Sequence, residues 1–436
     1  MAGWKPGERL FAWVTALGVA LCVALVTGFA WIPHMFDQAD ADSYRLLGEG
    51  RIEQVALPFA SRQLAPLLVH WLHQGLHVPV VDGFIAEGVL ALLLFLGTVL
   101  FLLVRSGAPR WMLPAVAGLF FWAQMCNELM MPDLFYGALL CGMLLLLREG
   151  RTYAAVSMLF LLAVARESTL LTLVCLLLAG IGRMRWREMA AAVAATAAGI
   201  LLVKRLTVQA LPNAEHISPT LYLVAKMPWN VIRNIFGLTP WSDVNQQCAV
   251  PQWQMVVHLG PVHGVGLCSL TPEFPVQTVA YALASFGLLP LLMLAAWRAR
   301  PAVAGAPGVG GPAQASAKAV GRVLMVRFCV VLGASSFLLA PLLGETFQRL
   351  YAYGWPLFLV ALPLLLGASR GTFTSAWAAW SFVAMHLVCC WMQVRLIELP
   401  GMLWLVLLWL AGWFLLRTRW VDRGDREQLE MRLETL

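Results

Sequence analysis

The chain has 436 residues, 60% of them hydrophobic and only 12% charged, with a mean hydropathy of +0.76. A soluble domain of this length would need far more polar surface to cover itself, so a water-soluble globular fold is excluded. The formal charge of +7 does not point to nucleic acid, because the basic residues sit in short clusters between apolar runs.

Those clusters are Arg105 with Arg110, Arg148 with Arg151, Arg183 to Arg187, Arg298 with Arg300, and Arg417 with Arg419. They follow the positive-inside bias of membrane proteins. The runs between them are about 18–22 residues long, enough to cross a bilayer as helices. Hydrocarbon offers no partner to backbone N–H and C=O groups, so each run must satisfy its own by coiling. The expected fold class is all-α: one polytopic membrane domain, 1–436, of about twelve spanning helices.

In chain order, Leu10 to Ile32 follows Lys5 and Arg9 and is longer than a signal-peptide core, which predicts an uncleaved anchor. The polar segment 33–60 leads outward. The stretch 64–80 is short and polar for a span, with His70, His73 and His77 at helical spacing, and is placed at the outer interface. Together 33–80 form the first outer loop and interfacial helix. Spans follow at about 84–104, 111–127, 132–147, 152–166, 168–182 and 189–211. A long outer loop, 212–274, precedes spans at about 276–297, 323–343, 352–368, 373–392 and 400–416. Residues 301–319 are Pro/Gly/Ala-rich and fit a flexible cytoplasmic linker. Residues 420–436 form a charged cytoplasmic tail. With the basic clusters in the cytoplasm, both termini lie inside. No internal repeat is visible, which disfavours transporters built from duplicated halves.

This topology collects polar residues on the outer face. The first loop carries Asp37, Asp40, Asp42, Arg45, Glu49, Arg51, Glu53 and Arg62; the next outer turn brings Asn127, Glu128 and Asp133. Arg166 and Glu167 interrupt an otherwise apolar hairpin. The long loop adds Arg233, Asp243, His258, His263 and Glu273, and Glu345, Arg349 and Tyr351 follow a later span. An ionisable group near membrane depth costs roughly 2.5–3.5 kcal/mol on insertion scales, so such groups are rarely idle. Neighbours on a helix point about 100° apart, so Arg166 and Glu167 are expected to have separate partners. Two readings stay open for them: a substrate site, or an ion-pair network holding helix ends together. Glu345 and Arg349 are spaced for an intrahelical salt bridge. The loop aromatics Tyr222, Trp229, Phe236, Trp241 and Trp253 suit a membrane interface, or stacking on a sugar beside Asn230, Arg233 and Asp243. Of nine cysteines, Cys248 and Cys268 share the long polar loop and are a disulfide candidate if it is extracytoplasmic. No metal-ligand spacing joins the Cys and His residues.

The first loop reads Asp40-Ala41-Asp42-Ser43-Tyr44-Arg45, then Ser61-Arg62-Gln63-Leu64-Ala65-Pro66-Leu67, and later Ala165-Arg166-Glu167-Ser168-Thr169. This order resembles bacterial membrane proteins of the type C glycosyltransferase superfamily, closest to those of cell-surface polysaccharide formation. The motifs cover about the first 170 residues; the similarity of plan covers the chain. The resemblance implies transfer of a sugar from a polyprenyl-phosphate carrier to a glycan, lipid or polymer acceptor, on the outer face of the bacterial cytoplasmic membrane. It implies an acidic catalytic base in the first loop, by motif position Asp40, with Asp42 the close alternative.

Such chemistry needs a carboxylate to deprotonate the acceptor hydroxyl and cations to meet the leaving lipid phosphate. Arginine binds phosphate in a bidentate way. Arg62, Arg166, Arg233 and Arg349 are the outer-face candidates, with Arg349 and Arg166 favoured and Glu167, Glu345 and Tyr351 beside them as further substrate-site residues. A divalent metal on the aspartates would be magnesium or manganese, given oxygen-only ligands. Two alternatives have the same plan: a polysaccharide polymerase or ligase using a lipid-diphosphate-linked glycan, and a lipid-linked glycan flippase or other transporter. A transporter should carry charge at the midplane of several spans, whereas the polar residues here gather at helix ends.

Overall fold

A computed structural model describes residues 39–57, 59–105, 131–212, 227–228, 230–242, 253–255, 265–270, 273–298, 317–343, 347–359, 376–393 and 399–417. The described chain is mostly helical. The first helices are α1 (Ala39–Gly48), α2 (Leu64–Leu76), α3 (Val80–Arg105), α4 (Asp133–Arg148), α5 (Thr152–Ala165), α6 (Thr169–Gly180) and α7 (Trp186–Leu206). After a small sheet come α8 (Glu273–Ala284), α9 (Leu289–Arg298), α10 (Ala317–Leu343), α11 (Phe347–Ala352), α12 (Ala376–Gln393) and α13 (Leu399–Arg417).

Three described helices are long and apolar enough to cross a membrane: Val80–Leu102, Trp186–Leu206 and Val320–Leu342. Large apolar side chains are exposed along α7 and α13, among them Leu201, Leu403, Leu410 and Phe414. In water such a surface would drive aggregation; against lipid it is solvated. The chain has the character of a membrane protein. The count of twelve spans is broader than the described residues: the runs at 10–32 and 111–127 lie outside them, as does the tail 420–436.

One reading of the sequence is corrected. The run 276–297 is two helices, α8 and α9, because the chain turns at 285–288 with Gly287 at φ 50°. The turn frees backbone N–H groups in an apolar setting. His386 on α12 takes one of them: the Leu288 N–H donates to its Nδ1 at 3.1 Å. The long loop is not purely helical or irregular. Leu238–Ser242 (β1), Trp253–Met255 (β2) and Val265–Leu270 (β3) form an antiparallel sheet in the order β1-β3-β2. Pro240 sits in β1, an edge strand, where its missing N–H does no harm. In addition, α10 begins at Ala317, inside the expected linker 301–319, since Ala317-Lys318-Ala319 favours helix.

Charge now sorts to the two ends of the bundle. α4 and α5 are antiparallel neighbours joined at Glu149–Arg151, and a Cβ on Gly321 of α10 would collide with Leu147 O and Gly150 there. Arg327 of α10 donates to Ile181 O in the α6–α7 turn at 3.4 Å. One end therefore holds the 148–151 turn, the 181–187 turn and the start of α10. At the opposite end lie Asp133, the Arg166–Ser168 turn and the last turn of α10. There Asn230 and Asn234 donate to Leu342 O (3.1 Å) and Pro341 O (2.9 Å), satisfying carbonyls that a helix end leaves open. The first loop reaches this end as well. Leu57 N donates to Leu211 O (3.1 Å), Leu211 N to Val55 O (3.0 Å), and Gln63 N to Val164 O (3.1 Å).

The Arg166–Ser168 turn is recessed. Gly199 of α7 packs on α5, where a Cβ would lie 2.7 Å from Phe160 O and 2.7 Å from the Ala163 Cβ. α7 continues to Leu206, whereas α5 stops at Ala165. Counted from that contact at 1.5 Å per residue, α7 runs about 5 Å past the end of α5.

Candidate active site

α5 ends because Arg166 is fully extended, φ −164° and ψ 145°, with its N–H still bonded to Leu162 O at 2.8 Å. Thr169 restarts the helix, its hydroxyl donating to Arg166 O at 2.8 Å. An extended residue followed by a turn sends Arg166 and Glu167 in different directions. They have separate partners.

Glu167 faces the first loop. Arg62 donates from Nε to both of its carboxylate oxygens, at 3.1 and 3.0 Å, and from Nη2 to Oε1 at 2.5 Å. The remaining Nη1 donates to the Tyr44 hydroxyl at 2.8 Å. Arg62 and Tyr44 are buried, while the Glu167 side chain keeps 45% exposure. Burial alone would raise the Glu167 pKa; the charge and hydrogen bonds of Arg62 outweigh it and hold the carboxyl at about 2. Burial pushes the Tyr44 hydroxyl up, with Arg62 pulling the other way.

Arg166 turns inward. Its guanidinium pairs with the fully buried Asp133 and donates to the Tyr353 hydroxyl at 2.5 Å, and that hydroxyl donates to Asp133 in turn. The guanidinium also lies 5.1 Å from the Tyr353 ring centre. Tyr136 packs edge-on to Tyr353 at 6.0 Å and shares a 2.7 Å hydrogen bond with Thr172. Four separated segments (131–136, 166–172, the first loop and 353) are thus tied at one end of the bundle.

The other expected residues fall as follows. Asp40 is half-buried on α1 and Asp42 is exposed, held by Arg45 at 3.3 Å in a surface chain that continues to Glu49 and Arg51. Arg233 lies over the Phe274 ring at 4.4 Å. Asn230, one of the polar groups named beside the loop aromatics, is buried against the α10 terminus. Tyr351 is buried against Phe337 with ring centres 4.9 Å apart; Tyr353, two residues on, is the tyrosine that joins the network. Asp37, Glu345, Cys248, Asp243, His258 and His263 lie outside the described residues; for Arg349 and Cys268 only the backbone is described.

Among the described residues no three His, Cys, Asp or Glu side chains gather to hold a metal. Asp40 and Asp42 do not suit a shared ion, because two helix positions apart they point about 160° from each other. Sequence reasoning passed over Asp133 as a binding partner, Tyr353, and Glu87, which is buried in α3 with its Oε1 lacking a partner among the described residues. Asp133 and Glu87 did carry a signal, a carboxylate inside or bordering an apolar run; Tyr353 carried none.

In comparisons with known proteins, no family model, no curated protein and no solved structure matches the chain.

The Arg62–Glu167 pair has a defined pH signature. A carboxylate held at about 2 against an ordinary 4.5 stabilises the fold above pH 4.5, and that contribution is lost as pH falls through 4.5 towards 2. Glu167→Gln should cost about 1–2 kcal/mol at pH 7, discounted for the solvent that reaches Glu167. The gap between variant and wild type in thermal unfolding should shrink at pH 3. A gap independent of pH would show that the pair contributes nothing through its charge.

Proposed function

We propose that the chain is an integral membrane glycosyltransferase, moving a sugar from a polyprenyl-phosphate carrier to an acceptor hydroxyl at the end of the bundle that holds Arg62 and Glu167. One observation carries this reading. The third motif lies 105 positions beyond the second, yet Arg62 bonds both Glu167 and the Tyr44 of the first motif. Asp40 precedes Tyr44 by one helical turn and points within about 40° of it, so it lies on the network side of α1. Asp42 points away. Asp40 is therefore the better base of the two.

In this scheme Asp40 takes the proton of the acceptor hydroxyl. The oxygen attacks the anomeric carbon, and the bond to the carrier phosphate breaks, its electron pair leaving with the phosphate. A single displacement inverts the anomeric centre. Arg62 and Arg166 are each committed to a carboxylate, so they position the site; Arg349, favoured from the sequence, is the arginine assigned to the phosphate charge. The twelve-span topology, with both termini cytoplasmic, belongs to the same proposal.

The test is transfer from a polyprenyl-phosphate sugar by purified protein in nanodiscs. Arg349→Lys should lower turnover at least tenfold, because an ammonium does not reproduce the bidentate guanidinium contact. Normal turnover would leave Arg349 as a structural residue. Sidedness is checked with a reporter active only outside the cytoplasm: fused after Asp243 it should be active, and fused within 301–319 silent. Reversed signals would put the site on the wrong face.

A further inference from the structure

The opposite end of the bundle has a chemistry that glycosyl transfer does not use. Arg183, Arg185 and Arg187 in and after the α6–α7 turn are exposed, and so are Arg322 and Arg327 on α10. Among the described residues the acid paired with one of them is Glu188, 4.0 Å from the Arg185 Nε; Arg183, Arg187, Arg322 and Arg327 make no ion pair there. Glu188 is buried and accepts from the Arg185 N–H at the start of α7 (2.8 Å), and Glu149 lies beside Arg148 at 3.8 Å. An array of exposed guanidinium groups at one helix end is at least a topology signal. Here it is joined to a second feature.

α6 leaves a lengthwise stripe exposed: Leu170, Val174, Leu178 and Ile181. At 100° per residue these fall within an arc of about 80°. α10 packs on α6 and exposes Val323 and Val330. Arg322 and Arg327 flank those valines on the same outward arc of about 140°. Arg327 donates to Ile181 O, so the two apolar stripes meet at its guanidinium. Trp186, 73% exposed with Arg187 stacked 5.7 Å from its ring centre, marks the interfacial level beside them. The result is an apolar seam headed by cations, which matches one phospholipid with an anionic headgroup.

We propose that this end of the molecule binds an anionic phospholipid, its phosphate held between Arg183 and Arg327 and an acyl chain lying along the α6–α10 seam. Arg322 adds to the attraction from the far side of the valines. The site is independent of the chemistry at the other end and requires only that the chain sits in a bilayer.

The full-length protein, delipidated in detergent, is titrated with phosphatidylglycerol and with phosphatidylcholine of the same acyl chains, and adducts are counted by native mass spectrometry. Phosphatidylglycerol should give one saturable adduct, bound at least tenfold more tightly than phosphatidylcholine. An arginine near the membrane surface contributes about fivefold in affinity to an anionic lipid, so Arg183→Gln/Arg322→Gln/Arg327→Gln should weaken it about 100-fold. The corresponding triple lysine variant keeps the charges and should bind within about fivefold of wild type. Equal retention of phosphatidylcholine would overturn the proposal, as would unchanged binding by the glutamine variant. So would displacement of the lipid by equimolar glycerophosphoglycerol, since a water-soluble headgroup makes no use of the seam. If the glutamine variant does not fold, the two lipids compared on wild type decide alone.

Discussion

Asp133→Asn should destabilise the folded protein by about 3–5 kcal/mol, the largest stability effect expected of any single substitution at the candidate site. Asp133 is 0% exposed and Arg166 5%. Removing the carboxylate charge leaves a guanidinium in an apolar setting that cannot be deprotonated to escape the cost. The Tyr353 hydroxyl exchanges a carboxylate acceptor for the weaker amide oxygen of asparagine. The double variant Asp133→Leu/Arg166→Met should recover most of the loss, because deleting both charges leaves none uncompensated. Thermal unfolding in detergent of wild type, Asp133→Leu, Arg166→Met and the double variant closes the cycle and measures the coupling directly. A double variant as unstable as the single would show that Asp133 acts through packing rather than through Arg166.

Much of the helical plan was legible because membrane helices obey length and capping rules. The short stretch at 64–80 was read as interfacial from its histidines, and it ends as α2 at Leu76, with His77 left-handed at φ 53°. Arg166-Glu167 was legible as a break in an apolar run, since two adjacent ionisable groups do not continue a lipid-facing helix cheaply. Their partners were not legible. Arg62 lies 105 positions from Glu167, and Tyr353 lies 187 from Arg166, and no periodicity reports such pairings. The turn inside 276–297 is marked locally by Gly287 and Pro290, while the group that makes it tolerable is His386 on another helix. The β1–β3 pairing across the long loop required a register that alternating small and aromatic residues do not specify.

Asp40→Asn tests the central claim most directly. Asparagine keeps the size and much of the hydrogen-bonding capacity of aspartate, but it does not take a proton at neutral pH. If Asp40 is the base, glycosyl transfer should fall about 10²–10⁴-fold, the usual contribution of a positioned acid–base group. The fold should survive, because Asp40 is only half-buried on the first-loop helix. Asp42→Asn should be much milder, since Asp42 faces solvent and Arg45. The measurement is transfer from a polyprenyl-phosphate sugar in nanodiscs, with wild type, Asp40→Asn and Asp42→Asn at matched protein. A collapse confined to Asp40→Asn is the result expected of a first-loop base acting beside the Tyr44–Arg62–Glu167 network. Full activity in both variants would contradict it, and with it the assignment of this membrane protein to glycosyl transfer.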